Sequence, residues 1–292
     1  MELIKAGQFV LKIGPFSVRI ESRINSVQQG IFHLYSDYPQ LSPDTFCDFY
    51  VRVICAQGFR RFIFKQSIFA LDQFLPFKPL PYAQAFPFFE WGLNWCIAGY
   101  ALQYFIIHAA VVEKNGKALI LPGSPGSGKS TLCAALINKG WRLLSDELTL
   151  IDCATGNVVP VPRPVSLKNE SIQLVANIFP DNIFSPIVHD TAKGSVSLMK
   201  PPSGSVKRAG EFATPSLVIF PKFIRDSDLK LLPLAKSEAF MKLAELAFNY
   251  DVLGSEGFNV LAGLVENCRT FEFEYDGDFD RASACFEKIL ND

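Results

Sequence analysis

The sequence predicts a mixed α/β fold, with a small β-rich module over residues 1–88 followed by an α/β domain over residues 89–292. Three observations predict it. Ala118-Leu119-Ile120-Leu121 is an apolar run that enters a glycine-rich loop, GSPGSGKS, and a helical stretch from Ser130 to Asn138 leaves it, with Gly140 placed as the C-terminal cap. Asn115-Gly116, directly before that apolar run, is the strongest short hairpin signal. The first 75 residues carry short β-branched and aromatic runs separated by turn residues.

The runs of the first module are Phe16–Ile20, Phe49–Ile54 and Arg61–Lys65. Four prolines within Leu75–Phe88 then exclude regular structure and mark a connection. Trp91 to Val112 carries no formal charge, which is the length of a membrane span, but Asn94, Gln103 and His108 interrupt it. A buried helix followed by a buried strand explains the same composition, so no membrane span is expected. Net charge is −1 with no basic block, which lacks the electrostatic footprint of a nucleic-acid binder. The seven cysteines show no C-x-x-C and no metal-ligand spacing, and their odd number argues against a full disulfide framework. The N-terminus is interrupted by charge too often for a signal peptide, and a reduced cytoplasm fits best. The 27 phenylalanines are most simply core residues.

Counting outward from the Asn115-Gly116 turn, Lys114 faces Lys117, Val112 faces Leu119 and His108 falls opposite Gly123. The loop itself satisfies G-x-x-x-x-G-K-[ST] with Gly123, Gly128, Lys129 and Ser130, and Gly126 is an additional glycine inside it. Its backbone N–H groups, from Ser124 through Pro125, Gly126 and Ser127 to Lys129, surround the N-terminus of a helix (proline itself contributing none), where the dipole also favours anions. Lys129 would bridge the β- and γ-phosphates of a nucleotide and Ser130 would ligate Mg²⁺. Thr131 reads as a residue of the first helical turn. Trp141–Ser145 returns after the helix, and a right-handed crossover would bring it back beside the first strand, delivering Asp146 and Glu147. Leu148–Asp152 continues as a strand, turns at Ala154–Asn157 and comes back through Val158-Val159. Further basic candidates for phosphate are Arg163, Lys168, Lys193 and Lys200, with Arg163 and Lys193 foremost. Ser237–Tyr250, Glu256–Asn267 and Phe279–Leu290 read as helices around a strand at Arg269–Tyr275.

His108, the hairpin, GSPGSGKS and the acidic pair Asp146-Glu147 resemble the catalytic domain of HPr kinase/phosphorylase. HAAVVEKNGKALILPGSPGSGKSTL, GWRLLSDELTLID and PVPRPVSLKNESI look more closely like the HPr-kinase-related kinases of type A. The resemblance is specific over about residues 88–172. It implies a phosphate-loop (P-loop) domain akin to that of ATP-dependent phosphoenolpyruvate carboxykinase. It also implies ATP and Mg²⁺ as cofactors, and phosphoryl transfer to a serine or threonine hydroxyl of a protein or peptide. On the matching positions Asp146 is the implied base, with His108 in the same site. Glu147 stands where the family has a second aspartate, and Glu170 in SLKNES matches a later metal-binding glutamate. A homo-oligomer is the family's habit. Two other readings of the same residues are a small-molecule kinase and a nucleotide-gated binding module with little transfer.

Overall fold

The computed structural model describes residues 7–58, 63–124 and 126–291. They group into two compact units, one of residues 1–97 and 166–207 and the other of 98–165 and 208–292. The sequence suggests a single cut near residue 88, whereas residues 166–207 belong with the first module. The reason lies in specific contacts: Gln84 donates a hydrogen bond to the carbonyl of Asp190 at 2.8 Å, Lys200 pairs with Asp37 at 2.9 Å, and the Lys193 ammonium lies over the Trp91 ring.

The first unit holds a five-stranded sheet ordered β1 (Gln8–Ile13), β2 (Phe16–Glu21), β3 (Phe49–Cys55), β4 (Gln66–Leu71), β5 (Leu80–Pro81). Strands β1 and β2 form a hairpin around Gly14, and β2 and β3 are parallel, joined across helix α1 (Asn25–Leu34). That helix is absent from the β-rich reading of the module, although buried Val27, Gly30, Ile31 and Leu34 recur at helical spacing. Gly30 faces the ring of Phe86 so closely that a Cβ would enter it. The strand expected at Arg61–Lys65 begins instead at Gln66; Arg61 and Phe62 lie outside the described residues. The proline-rich stretch is likewise more regular than expected. Helix α2 spans Ala85–Tyr100 and holds Pro87 in its first turn, where a missing N–H leaves no bond unmade. A second sheet of this unit is ordered β12 (Val165–Lys168), β14 (Gly194–Met199), β13 (Val188–Thr191), with helices α4 (Glu170–Ile178) and α5 (Ser203–Lys207).

The second unit contains a six-stranded mixed sheet in the order β16 (Lys230–Pro233), β17 (Arg269–Tyr275), β15 (Thr214–Phe223), β8 (Lys117–Pro122), β7 (Ala109–Lys114), β9 (Arg142–Ser145). Strands β17, β15 and β8 are parallel, and β7 is antiparallel to both β8 and β9. The hairpin register is the one counted from the turn, Lys114 opposite Lys117 and Val112 opposite Leu119. The return of β9 is not: it lies beside β7, because the hairpin partner already occupies that edge of β8. A smaller sheet is ordered β11 (Val158–Val159), β10 (Thr149–Asp152), β6 (Tyr104–Ile107). Helices α3 (Lys129–Asn138), α6 (Lys236–Leu246), α7 (Tyr250–Leu253), α8 (Ser255–Asn267) and α9 (Phe279–Asn291) complete it, close to the three helices read from the sequence. Strand β15 is the element that escaped, since Pro215 and Pro221 argue against a strand in the middle of a sheet. Pro215 sits at a register break, and Pro221 lies past Val218, the last residue paired with β8.

The core of this unit gathers Ile107, Val111, Ile120, Leu144, Val218, Leu243 and Leu261, all fully buried. Among the described residues no helix is long and apolar enough to cross a membrane. On β7 and β9, Glu113 faces Arg142 and the two form a buried ion pair, while Arg142 also donates to the carbonyls of Arg208 and Glu211 at 2.9 Å each. Removing the guanidinium alone leaves the buried carboxylate with the Gly116 N–H and the more distant Arg208 guanidinium, 3.9 Å away, in place of its close partner. Arg142→Leu is therefore expected to lower stability by about 3–5 kcal/mol in urea unfolding, with Glu113→Leu/Arg142→Leu recovering most of the loss.

Candidate functional site

The site is built where two strands cross from one sheet of the second unit to the other. Strand β6 passes through His108 into β7, and β9 passes through Asp146, Glu147 and Leu148 into β10. Because β7 pairs with β9 and β6 with β10, the four form one antiparallel ribbon that is interrupted at the same level on both sides. Thr149 secures the interruption by donating to the carbonyl of Ala109 at 3.0 Å. His108 and Asp146 are thereby placed at a bend that lacks regular ladder bonds. On the other edge of β7, Ala109 faces Pro122, the last residue before the glycine-rich loop.

The loop has the geometry that its glycines predict. Gly126 (φ +90°) and Gly128 (φ +88°) are left-handed, and a Cβ on Gly123 would strike the hydroxyl of Ser127. Among the described residues the buried Ser127 hydroxyl has no hydrogen-bond partner. Ser124 accepts from the Ser127 N–H at 3.2 Å, Gly128 caps α3, and Ser130 and Thr131 stand half-buried in its first turn. Pro125 lies outside the described residues. Lys129 is the first residue of α3, only 5% exposed, and its Nζ lies 2.9 Å from His108 Nε2. An ammonium can only donate, so with Lys129 charged it is Nε2 that accepts this hydrogen bond.

Asp146 is 4% exposed and Glu147 half-buried. Cys133, one turn beyond Lys129 on α3, lies within electrostatic reach of both charges. Burial pushes its thiol well up, the Asp146 carboxylate pushes it further and the Lys129 ammonium opposes. Lys129, His108 and Asp146 are therefore gathered around one end of β8, β7 and β9. Arg163, 7% exposed, belongs to the same unit and follows Val161, whose N–H donates to Leu144 on β9. Glu170, exposed in the first turn of α4, and Lys193, in the β13–β14 turn, belong to the first unit, as do Lys168 and Lys200. Among the described residues no group of three or more His, Cys, Asp or Glu side chains is arranged to hold a metal. A divalent ion at this loop would draw most of its ligands from phosphate oxygens and water.

Two features of the site were not legible. The segment Leu246–Phe248 runs antiparallel along the outer edge of β6, with His108 N–H donating to Leu246 and Phe248 N–H to Ile106, both at 2.8 Å. Buried Asn249 clamps it by bonding Tyr104 and Ile106, which sets the half-exposed Phe248 ring 5.8 Å from His108. On the far side of the loop, Tyr275 at the end of β17 donates to the Gly128 carbonyl at 3.3 Å, and burial pushes its phenol well up. Neither has a local sequence signal, since both depend on strand order. A cavity of about 670 Å³, lined by Cys153, Gly156, Thr214, Glu256, Asn259 and Asn267, lies elsewhere. Thr214 pairs with Lys117 at the start of β8, opposite to the end that bears the loop.

These residues and this topology describe an α/β domain with a glycine-rich loop of the phosphate-binding form, between a strand and a helix. Similarity to one known family falls on the same part of the chain. Residues 99–167 match the family profile described as SynChlorMet cassette protein ScmC. Fifty-one residues are 39% identical to HPr kinase/phosphorylase of Treponema pallidum, in each of two strains of that organism. That alignment covers 18% of this chain and 16% of the relatives. The solved Hpr(Ser) kinase/phosphatase of Coxiella burnetii aligns over 64% of this chain and 93% of its own, at 11% identity and a TM-score of 0.28, a likeness too low to carry an argument.

Two outcomes follow from the loop and the thiol beside it. Gly126→Ala is expected to incur the left-handed backbone penalty of about 1–2 kcal/mol, since among the described residues beyond its chain neighbours its Cβ meets nothing within 4 Å. Gly128→Ala is expected to lower the urea midpoint further, because its Cβ would sit 2.7 Å from the Tyr275 hydroxyl. The raised Cys133 pKa contributes stability that is whole below the unfolded thiol value of about 8.5 and is lost as pH rises above it. Urea unfolding between pH 8 and 10 should therefore show a shallower alkaline decline in Cys133→Ala, by up to about 1.4 kcal/mol per pH unit.

Proposed function

We propose that this protein is an ATP-dependent kinase that transfers the γ-phosphate to a serine or threonine hydroxyl of a protein or peptide. The observation that carries the reading is the gathering of the glycine-rich loop, Lys129, His108 and Asp146 at one end of three adjacent strands. The 51-residue similarity to HPr kinase/phosphorylase supports the choice of phosphoryl transfer. Phosphoryl transfer asks chiefly for positioning and charge neutralisation, and the loop's N–H groups with Lys129 supply both.

In this reading Gly123 to Thr131 hold the triphosphate, and Ser130 and Glu147 contact Mg²⁺, which neutralises charge on the phosphates when bound. The fit is carried by the left-handed glycines and the orphaned Ser127 hydroxyl, which leave a cradle of donors around the helix terminus. His108 holds the Lys129 ammonium on the β7 side of the loop by accepting its hydrogen bond. Asp146 takes the proton of the attacking hydroxyl; it is secluded from water, and its place at a strand bend puts it outside the ladder. Arg163 is a candidate for charge stabilisation from the same unit.

Incubation with γ-labelled ATP and Mg²⁺, with lysate of the source cell as acceptor, tests the reading. Label is expected on a discrete protein or peptide, absent with Lys129→Ala and reduced about 10²–10⁴-fold with Asp146→Asn, which retains ATP binding. Label confined to small molecules moves the activity to metabolite phosphorylation. Tight ATP binding with no transfer in any lysate fraction sinks the kinase and leaves a nucleotide-gated module.

A further inference from the structure

The strand order places the candidate groups of the second unit in a line. Asp146 follows β9, His108 precedes β7, the glycine-rich loop follows β8, and Phe223 and Tyr275 end β15 and β17, so these groups span five adjacent strands at one end of the sheet. Adjacent strands are about 4.8 Å apart, so this row is of nucleotide length. Lys129 reaches toward the β7 side, where its Nζ meets His108. A triphosphate whose terminal group lies there, next to Asp146, must carry its nucleoside in the opposite direction, over the ends of β15 and β17. Ligands of open α/β sheets bind at such carboxyl ends of parallel strands.

An aromatic ring stands at that point. Phe223 is 45% exposed although it is the last residue of a central strand, and its Cβ lies 3.3 Å from where a Gly128 Cβ would be. The ring is not loose: it packs edge-on to buried Tyr275 at 5.8 Å, the residue paired with it across the sheet, and Ile224 N–H donates to the Tyr275 carbonyl at 2.9 Å. The other face of its surroundings is Gly277, whose absent Cβ would lie 3.6 Å from the ring. A large apolar side chain is thus held in water, beside the loop's last glycine, by a strand pair that leaves it no freedom to fold away.

We propose that Phe223 is the platform on which the nucleobase of the bound nucleotide stacks, making it a specificity-determining residue of this site. The inference rests on the loop's reading as a nucleotide-phosphate site and adds where the base goes and what recognises it. Stacking on a flat ring depends on the area of the base more than on its edge, so purine nucleotides bind more tightly than pyrimidine ones.

Calorimetric titration of the full chain with Mg·ATP and with Mg·tripolyphosphate separates the base from the phosphates. Wild type is expected to bind ATP more tightly than tripolyphosphate. Phe223→Ala should weaken ATP about 5- to 150-fold, the range that loss of one stacking ring produces, and leave tripolyphosphate unchanged. Phe223→Trp should keep ATP affinity, and its emission should be quenched by ATP and not by tripolyphosphate. Equal weakening of both ligands by Phe223→Ala would mean that the ring acts through Gly128, and unchanged ATP affinity would mean that the base lies elsewhere; each overturns the proposal. Wild type that binds tripolyphosphate as tightly as ATP overturns the base platform alone. Wild type that binds neither ligand overturns the phosphate-loop reading, and the platform falls with it.

Discussion

Strand β7 is hydrogen-bonded along both of its edges, to β8 on one side and β9 on the other, and the candidate site depends on that double pairing. A strand from a tight hairpin must lie antiparallel to its partner. By taking the edge of β8 it keeps β9 one strand away from the loop that β8 feeds. The consequence is a candidate site three strands wide on this side of the loop, with a histidine between the loop lysine and the acidic pair. The buried Glu113–Arg142 pair reinforces the same strand from below, tying β7 to β9 and through the Arg208 and Glu211 carbonyls to the segment that leads into β15.

The ribbon made by β6–β7 and β9–β10 adds a second constraint. Its bend releases His108 and Asp146 from regular pairing while anchoring them on both sides, the condition under which a side chain is aimed without being occupied by the ladder. The loop needs glycine for a related reason. Gly128 combines a left-handed backbone with the close approach of Tyr275 and Phe223, so conformation and space coincide in requiring no side chain. The neighbours that close on Gly128, Tyr275 and Phe223, are residues far removed in sequence from the motif.

Much of the second unit was legible because its signals are local. The Asn115-Gly116 turn fixed its own register, which holds as far as Ala109 opposite Pro122, the residue next to His108. Helical periodicity located α6, α8 and α9 closely. Where reading failed, the deciding contact was distant. Strand β15 carries two prolines and is tolerated only because one sits at a register break and the other lies past its pairing with β8. Helix α1 is amphipathic over ten residues, yet runs of β-branched residues on either side concealed it. Residues 166–207 join the first unit through Asp37, Gln84 and Trp91, side chains that no pattern in the segment itself announces.

By itself the sequence determined the strand–loop–helix, the hairpin before it and the acidic pair after it, since each is set by turn chemistry, glycine freedom or alternation over a few residues. Only the tertiary structure decided that β9 lies beside β7, that Phe248 and Asn249 edge the histidine, and that Phe223 and Tyr275 flank the glycine loop. Those are matters of strand order, which is set by the burial of whole faces across the sheet and leaves no trace in any single stretch of chain.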